Sequence, residues 1–221
     1  ANLVLSRLKS TTKVVGGVND ESRTRAAEFY RTYLQAPVDD VGALEAAELV
    51  KLAGMVYRDV NIALANELAS YSETVGVDFD RVRLAANTDG EANLLVPGIG
   101  VGGHCTPVYP YFLTVEANQL GVAQHLAQAG RAINDRQPKR HIDRLARQWR
   151  PLKGRNVHIL GLGFRPDVKV EIFSPAFALQ QQLEEYGAIV TLEDPYYSAD
   201  EIRQAGFTPA HAGMDWLEAV I

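Results

Sequence analysis

The 221-residue sequence is 47% hydrophobic and 22% charged, enough apolar material for one large core or two smaller ones. A formal net charge of -5 argues against a nucleic-acid partner, because such partners need clustered Lys and Arg to neutralise phosphates. No apolar run approaches the roughly 18 residues of a membrane helix, and no charged start precedes a hydrophobic N-terminal stretch, so a cytoplasmic protein with no membrane partner is expected. One local run is basic: Arg131, Arg136, Lys139, Arg140, Arg144, Arg147, Arg150, Lys153 and Arg155. It reads as the solvated face of a helix and linker rather than a phosphate patch. The single cysteine, Cys105, has no internal partner for a disulfide and is either a small buried hydrophobe or a reactive thiol.

In chain order, Lys13 to Gly17 is a short β-type run ending in glycines, and Asp20 serves as the N-cap of a helix through Phe29, Tyr30 and Tyr33. This reads as the tail of an earlier unit. From Ala43 to about Glu73 the apolar residues fall at helical spacing without an interrupting Pro. A helix of roughly 30 residues is about 45 Å long, more than a small domain needs, which points to a helix that packs against a partner chain or bridges two domains, most simply in a two-fold dimer. The segment from Pro97 to Pro107 carries Gly98, Gly100, Gly102 and Gly103, a loop whose backbone reaches conformations a Cβ forbids. Tyr111 to Gly130 is expected as one helix, and Pro138 starts another that ends before Pro151 and Gly154.

The period then changes. Val157 to Leu160 reads as a buried strand, Gly161-Leu162-Gly163 as a tight turn, Ser174 to Tyr186 as a helix and Ala188 to Leu192 as a second strand. This is a β-α-β unit of a parallel, doubly wound sheet, and Ala210, His211, Gly213 and Trp216 open a further unit that the chain does not complete. The fold class expected is therefore α/β, with a helical central part built on the long helix and a partial doubly wound parallel-sheet domain after it.

Two stretches are candidates for chemistry. The Gly161-x-Gly163 turn lacks the third glycine of a dinucleotide fingerprint, since Pro166 occupies that place. A structural turn, a nucleotide-sugar site using the next helix's amides and an NAD site all remain open there. The Gly102-Gly103-His104-Cys105-Thr106-Pro107 loop is the more informative, because it presents a thiol among free backbone amides that stabilise thiolate or oxyanion. On the residues alone, Cys105 reads equally as nucleophile or as packing. No further ligands stand at the spacing of a zinc site.

Four blocks carry a resemblance: Ala47 to Leu52, Tyr57 to Leu68, the Pro97 to Pro107 loop with Asn134, and the Gly161 to Asp167 turn. Together they resemble the UDP-glucose/GDP-mannose dehydrogenase family, over nearly the whole chain and in order. The loop is most similar to the UDP-N-acetylhexosamine branch. The resemblance implies an NAD-binding Rossmann domain, a central helical dimerisation domain and a C-terminal UDP-sugar-binding domain. This chain is expected to hold the last two, with residues 1–40 as the tail of the NAD-binding domain, 41–137 as the central domain and 138–221 as a connecting helix and a truncated C-terminal domain. NAD is thus the cofactor of the complete protein and is not bound by this chain alone. The implied partners are a UDP-sugar and a second copy of the chain.

The same resemblance implies oxidation of a sugar's primary alcohol to a uronic acid through a cysteine thioester. Cys105 matches the nucleophile and Lys51 the lysine that stabilises the oxyanion, while Gly102, Gly103, His104, Phe164 and Arg165 match substrate-binding positions. Other positions depart from the pattern: Met55 replaces an Asn that holds the oxyanion or the water, and Tyr109 an Asp implicated in activating water. Glu91 replaces an Arg that reaches substrate across the dimer, and Ile172 an Arg that binds the sugar nucleotide. Residues that set the fold are kept while polar residues that handle substrate are exchanged. Two expectations follow: a fragment of a working nucleotide-sugar 6-dehydrogenase, or a catalytically inactive dimeric scaffold or binding module on the same fold.

Overall fold

A computed structural model of the chain describes residues 3–149, 151–210 and 219–220. It divides into two compact units, Ala1–Met55 and Val56–Ile221, with the boundary inside the long helix. The first holds α1 (Leu3–Ser10), β1 (Lys13–Gly17), α2 (Asp20–Tyr33), β2 (Val38–Ala43) and the first turns of α3 (Leu44–Thr74). β1 and β2 are parallel, running from Lys13 opposite Val38 to Gly17 opposite Ala43, so the stretch read as a tail is itself a complete β-α-β unit. β2 was not expected because its sequence, Val-Asp-Asp-Val-Gly-Ala, exposes both aspartates and shows little alternation. Gly16 is needed where the strands meet, since a Cβ there would lie 2.1 Å from the Ala43 carbonyl oxygen. The N-cap of α2 is Asn19 rather than Asp20: its side chain accepts the Ser22 N–H at 2.8 Å, and the Ser22 hydroxyl accepts the Asn19 N–H in return.

In the second unit, the remainder of α3 is followed by α4 (Phe79–Ala86), α5 (Tyr109–Gln119), α6 (His125–Asp135) and α7 (Gln137–Gln148). The single helix expected over Tyr111 to Gly130 is two. At the end of α5 the Val122 N–H donates to the Ala117 carbonyl and the Gly121 N–H to the Asn118 carbonyl, with Gly121 at φ +74°. That is a Schellman ending, which a left-handed glycine permits and which closes the helix within an otherwise continuous apolar pattern. α6 packs on α3 at Gly130, where a Cβ would be 3.1 Å from Val60 Cγ2.

The second part of this unit is Rossmann-like, with β3 (Asn156–Leu160), α8 (Pro175–Glu185), β4 (Ile189–Glu193), α9 (Ala199–Gln204) and β5 (Ala219–Val220). The sheet is parallel throughout in the order β4-β3-β5. Val157, Ile159 and Leu192 from the strands pack with Ile142 of α7, Leu179 and Leu183 of α8 and Ile202 of α9. Ser174 caps α8 through Ala176, and Pro175 fits the first turn because its missing N–H has no partner there anyway. The α/β class, the long helix and the parallel sheet all match the sequence. Of the further unit expected after β4, Ala210 donates its N–H to the Leu192 carbonyl, whereas His211, Gly213 and Trp216 lie outside the described residues.

Candidate active site

The glycine loop of the second unit is laid along α3 and then against the sheet lobe. Asn61 of α3 accepts the Leu95 N–H at 2.9 Å and donates to the Asn93 carbonyl at 2.8 Å. One helical turn further, Asn66 accepts the Gly98 N–H at 2.9 Å. At the far end the Gly103 N–H donates to the Ile172 carbonyl at 2.9 Å. A Cβ at Gly102 would stand 2.7 Å from Phe164 Cβ, and one at Gly103, whose φ is +92°, would stand 2.8 Å from the Phe164 ring. The two glycines thus let the backbone lie flat against Phe164.

Cys105 follows, half-buried, and its carbonyl accepts the Val108 and Tyr109 N–H groups as the chain turns into α5. Tyr109 is the first residue of α5, and His104 is exposed. The loop therefore brings Gly102, Gly103, Phe164 and Ile172 into contact. Glu91 sits apart in an exposed turn, its N–H donated to Asp89 at 2.9 Å. Lys51 and Met55 belong to α3 within the first unit, the lysine exposed and the methionine half-buried.

A cleft of about 570 Å³ opens at the C-terminal ends of β3 and β4, between the Gly98 to Gly100 segment, the Gly161 to Val168 stretch and Pro175. In open parallel sheets this is where ligands bind, at the point where strand order reverses, here around β3. Its chemistry differs from an anion cradle. The Leu162 and Gly163 N–H groups donate to Asp194 Oδ2 at 2.8 and 3.1 Å, and Asp194 Oδ1 accepts the Tyr196 N–H at 2.8 Å. Of the three readings left open for this turn, the geometry supports the structural one, because a carboxylate of the chain itself already fills the turn's amides.

Arg165 lines this cleft with its guanidinium 5.6 Å from the Phe164 ring centroid. The other charges of the loop are tied to the lobe: Lys169 pairs with Glu201, Asp167 accepts the Tyr196 hydroxyl at 3.1 Å and Glu171 accepts the Tyr197 hydroxyl at 2.6 Å. Lys169, with the backbone and hydroxyl of Ser198, holds the Glu201 carboxyl down to about 2. A second cleft of about 510 Å³ shares Gly100 and is lined also by Val101, Pro107, Phe173 and Phe177. Cys105 lines neither cleft. Among the described residues no three His, Cys, Asp or Glu side chains gather as a metal site.

Behind the loop is a buried polar cluster to which the sequence reading gave no role. Arg131 of α6 donates to Asp59 Oδ1 of α3 at 2.6 Å and also pairs with Asp135. Asn134 Nδ2 donates to the Asp59 carbonyl at 2.9 Å and to Asp59 Oδ1 at 2.8 Å. Burial pushes the Asp59 carboxyl up even though Arg131 and Asn134 pull it down. For Arg131 burial acts downward, but the Asp59 and Asp135 carboxylates outweigh it and hold the guanidinium above its ordinary value. The available signal was polar residues, Asp59 and Asn66, on the same α3 stripe as Ile62 and Ala63.

Residues 45–136 match the central domain of the UDP-glucose/GDP-mannose dehydrogenase family. A UDP-N-acetyl-D-mannosamine dehydrogenase of Methanococcus maripaludis is 30% identical over 217 residues, covering 97% of this chain and 49% of the relative. The central domain of this chain, residues 45–136, belongs to this family. A second family member, a UDP-N-acetyl-D-glucosamine 6-dehydrogenase of Pseudomonas aeruginosa, is 31% identical, covering 96% of this chain and 52% of the relative. The structure of a UDP-glucose dehydrogenase from Pyrobaculum islandicum superposes with a TM-score of 0.86 at 27% identity, over 96% of this chain and 50% of the other. A UDP-D-ManNAc dehydrogenase structure from Pyrococcus horikoshii gives a TM-score of 0.79 at 30% identity, over 88% of this chain and 46% of the other. The chain thus spans about half the length of the relatives it matches.

Proposed function

We propose that this chain is the central and C-terminal part of a nucleotide-sugar 6-dehydrogenase acting on a UDP-N-acetylhexosamine or UDP-glucose, with Cys105 as its nucleophile. The observation that carries the reading is the thiol itself: it is half-buried, on a loop hydrogen-bonded at Gly98 and Gly103, within the stretch that matches this family's central domain. NAD supplies the hydride acceptor in the complete protein. Among the described residues, neither the Gly161 to Gly163 turn nor the α2 N-terminus fits it, because the turn's amides are taken by Asp194 and the helix start by its own capping box. The cofactor site is therefore assigned to a part of the protein outside this chain.

The step that belongs to these residues is acyl transfer. The Cys105 thiolate carries the sugar's C6 acyl group as a thioester. Water adds to its carbonyl, the carbon–sulfur bond breaks, and the thiol takes the proton. Lys51 is the residue that the resemblance matches to an oxyanion-stabilising lysine, a role that its point charge suits. Met55 donates no hydrogen bond, and Tyr109 is a poor base for the attacking water. Losing an oxyanion donor costs about 100- to 1000-fold, and losing a general base about 100- to 10,000-fold, so release of the acid is slow and the acyl group accumulates on Cys105. The test is an assay of the full gene product for NAD reduction on addition of UDP-N-acetylhexosamines or UDP-glucose. A burst of NAD reduction followed by slow turnover, both lost in Cys105→Ala, is expected; no NAD reduction with any of these sugars overturns the reading.

Dimerisation along α3 belongs to the same proposal. Tyr57, Leu64, Leu68 and Tyr71 are exposed at spacings of seven, four and three residues, a single stripe on the helix that a second copy would cover.

One observation favours a second reading, an inactive scaffold or binding module. Glu91 and Ile172 stand where arginines would meet a sugar nucleotide, and Asp194 occupies the turn amides, so little remains for a diphosphate except Arg165. Calorimetry of the chain with a UDP-N-acetylhexosamine separates the two. Micromolar binding supports the enzyme, and absence of heat supports the scaffold.

A further inference from the structure

We propose that Asn66 and Asn134 are positioning residues for Cys105, forming a chain of amides with one fixed direction from the Asp59 carboxylate to the Gly98 N–H. The inference rests on the reading of Cys105 as nucleophile. Asp59, Asn134 and Asn66 are 0%, 1% and 2% exposed, so an unpaired polar atom there is costly; Asp59 Oδ2 is left without a hydrogen bond, while the two asparagine side chains find partners within the protein. The Asp59 carboxylate only accepts, which turns the Asn134 NH2 toward it, onto Oδ1 at 2.8 Å. The Asn134 Oδ1 is then left to face Asn66, whose NH2 donates to it at 3.0 Å. That donation in turn leaves the Asn66 Oδ1 for the Gly98 N–H, at 2.9 Å. Each asparagine must donate on one side and accept on the other. An aspartate or an alkyl side chain at either place breaks one link or both.

The far end of the chain matters because of what holds the loop there. Gly102 and Gly103 are wedged against Phe164, where any Cβ would clash. Gly98 is not wedged: a Cβ there would meet only the Gly100 carbonyl oxygen, at an ordinary 3.7 Å. At Gly98 itself the Asn66 hydrogen bond, together with the packing of Ile99 on the lobe core, fixes where the loop begins. Between this pin and the Gly103 to Ile172 bond, Ile99 packs on the lobe core and Gly100 lies against Pro175, and Cys105 follows two residues after the second pin. Loss of the Gly98 bond leaves packing alone to set the start of the loop, and any shift reaches Cys105 through the backbone of residues 99–104.

The experiment follows two readouts on the chain by NMR and mass spectrometry: amide exchange at Gly98 and the rate of Cys105 alkylation by iodoacetamide across pH. Asn66→Ala removes the acceptor, Asn66→Asp keeps it, and Ile202→Val, buried in the sheet lobe, lowers stability away from the loop. We expect Gly98 exchange to rise at least about tenfold in Asn66→Ala, to stay protected in Asn66→Asp and to be unchanged in Ile202→Val. Cys105 alkylation should change several-fold in Asn66→Ala alone. Unchanged Gly98 exchange in Asn66→Ala, an equal rise in Ile202→Val, or unchanged alkylation with a freed loop each overturns the proposal. Should Asn66→Ala not fold, the unaltered protein decides: a scalar coupling across the hydrogen bond from the Gly98 nitrogen to the Asn66 side-chain carbonyl is expected, and its absence removes the pin. Failure of the nucleophile reading shows separately, as alkylation of the unaltered chain no faster than that of an ordinary free thiol.

Discussion

Gly103 holds a φ of +92° while its Cα faces the Phe164 ring, so an alanine there is strained by its backbone and crowded by its neighbour at once. Gly103→Ala should cost about 1–3 kcal/mol, read as a lowered melting temperature; an unchanged melt would mean the loop does not lie against Phe164. At Glu201 the sign of the pH effect is set by a folded value near 2 against an ordinary 4.5. A carboxyl depressed in this way contributes stability that is fully present above about pH 4.5 and is lost as pH falls toward 2. NMR titration of Glu201 should show that low midpoint, and Lys169→Met should move it back up; a midpoint that ignores Lys169 would rule out their pairing. The glycines and the cysteine of the loop were legible in the sequence, since each is unusual where it stands. Their supports were not, because Asn134 lies 75 residues from Asp59 and Asp194 lies 32 from Leu162, and nothing local in the chain announces those partners.

α3 and α6 meet through a buried ion pair whose two members depend on each other. Arg131→Met strands the Asp59 carboxylate in a site with no exposure, and should cost about 3–5 kcal/mol by chemical denaturation. Asp59→Leu combined with Arg131→Met should unfold closer to the unaltered protein than the single change does. A double variant that loses the sum of both single costs would contradict the pairing. α3 was legible nearly to the residue because 31 residues of helical periodicity leave no alternative. The division of α5 from α6 was hidden, since one glycine in an apolar run is as compatible with a helix interior as with its end. β2 was hidden for the opposite reason, with two solvent-facing aspartates and a glycine diluting the strand pattern.

On the scale of the whole molecule, the exposed stripe of Tyr57, Leu64, Leu68 and Tyr71 predicts a dimer in sedimentation and a monomer for Leu68→Glu. A monomeric unaltered chain would remove the dimer from the account. Among the described residues no helix is long and apolar enough to cross a membrane. The fold is that of the UDP-sugar dehydrogenases, and the chemistry we propose for it is an acyl group carried by Cys105 and released slowly. Intact-mass analysis of the full gene product after incubation with NAD and a UDP-N-acetylhexosamine tests it directly. The account predicts a covalent uronyl adduct that maps to Cys105 and decays slowly on removal of substrate; an unmodified Cys105, with no reduced cofactor formed, would contradict it.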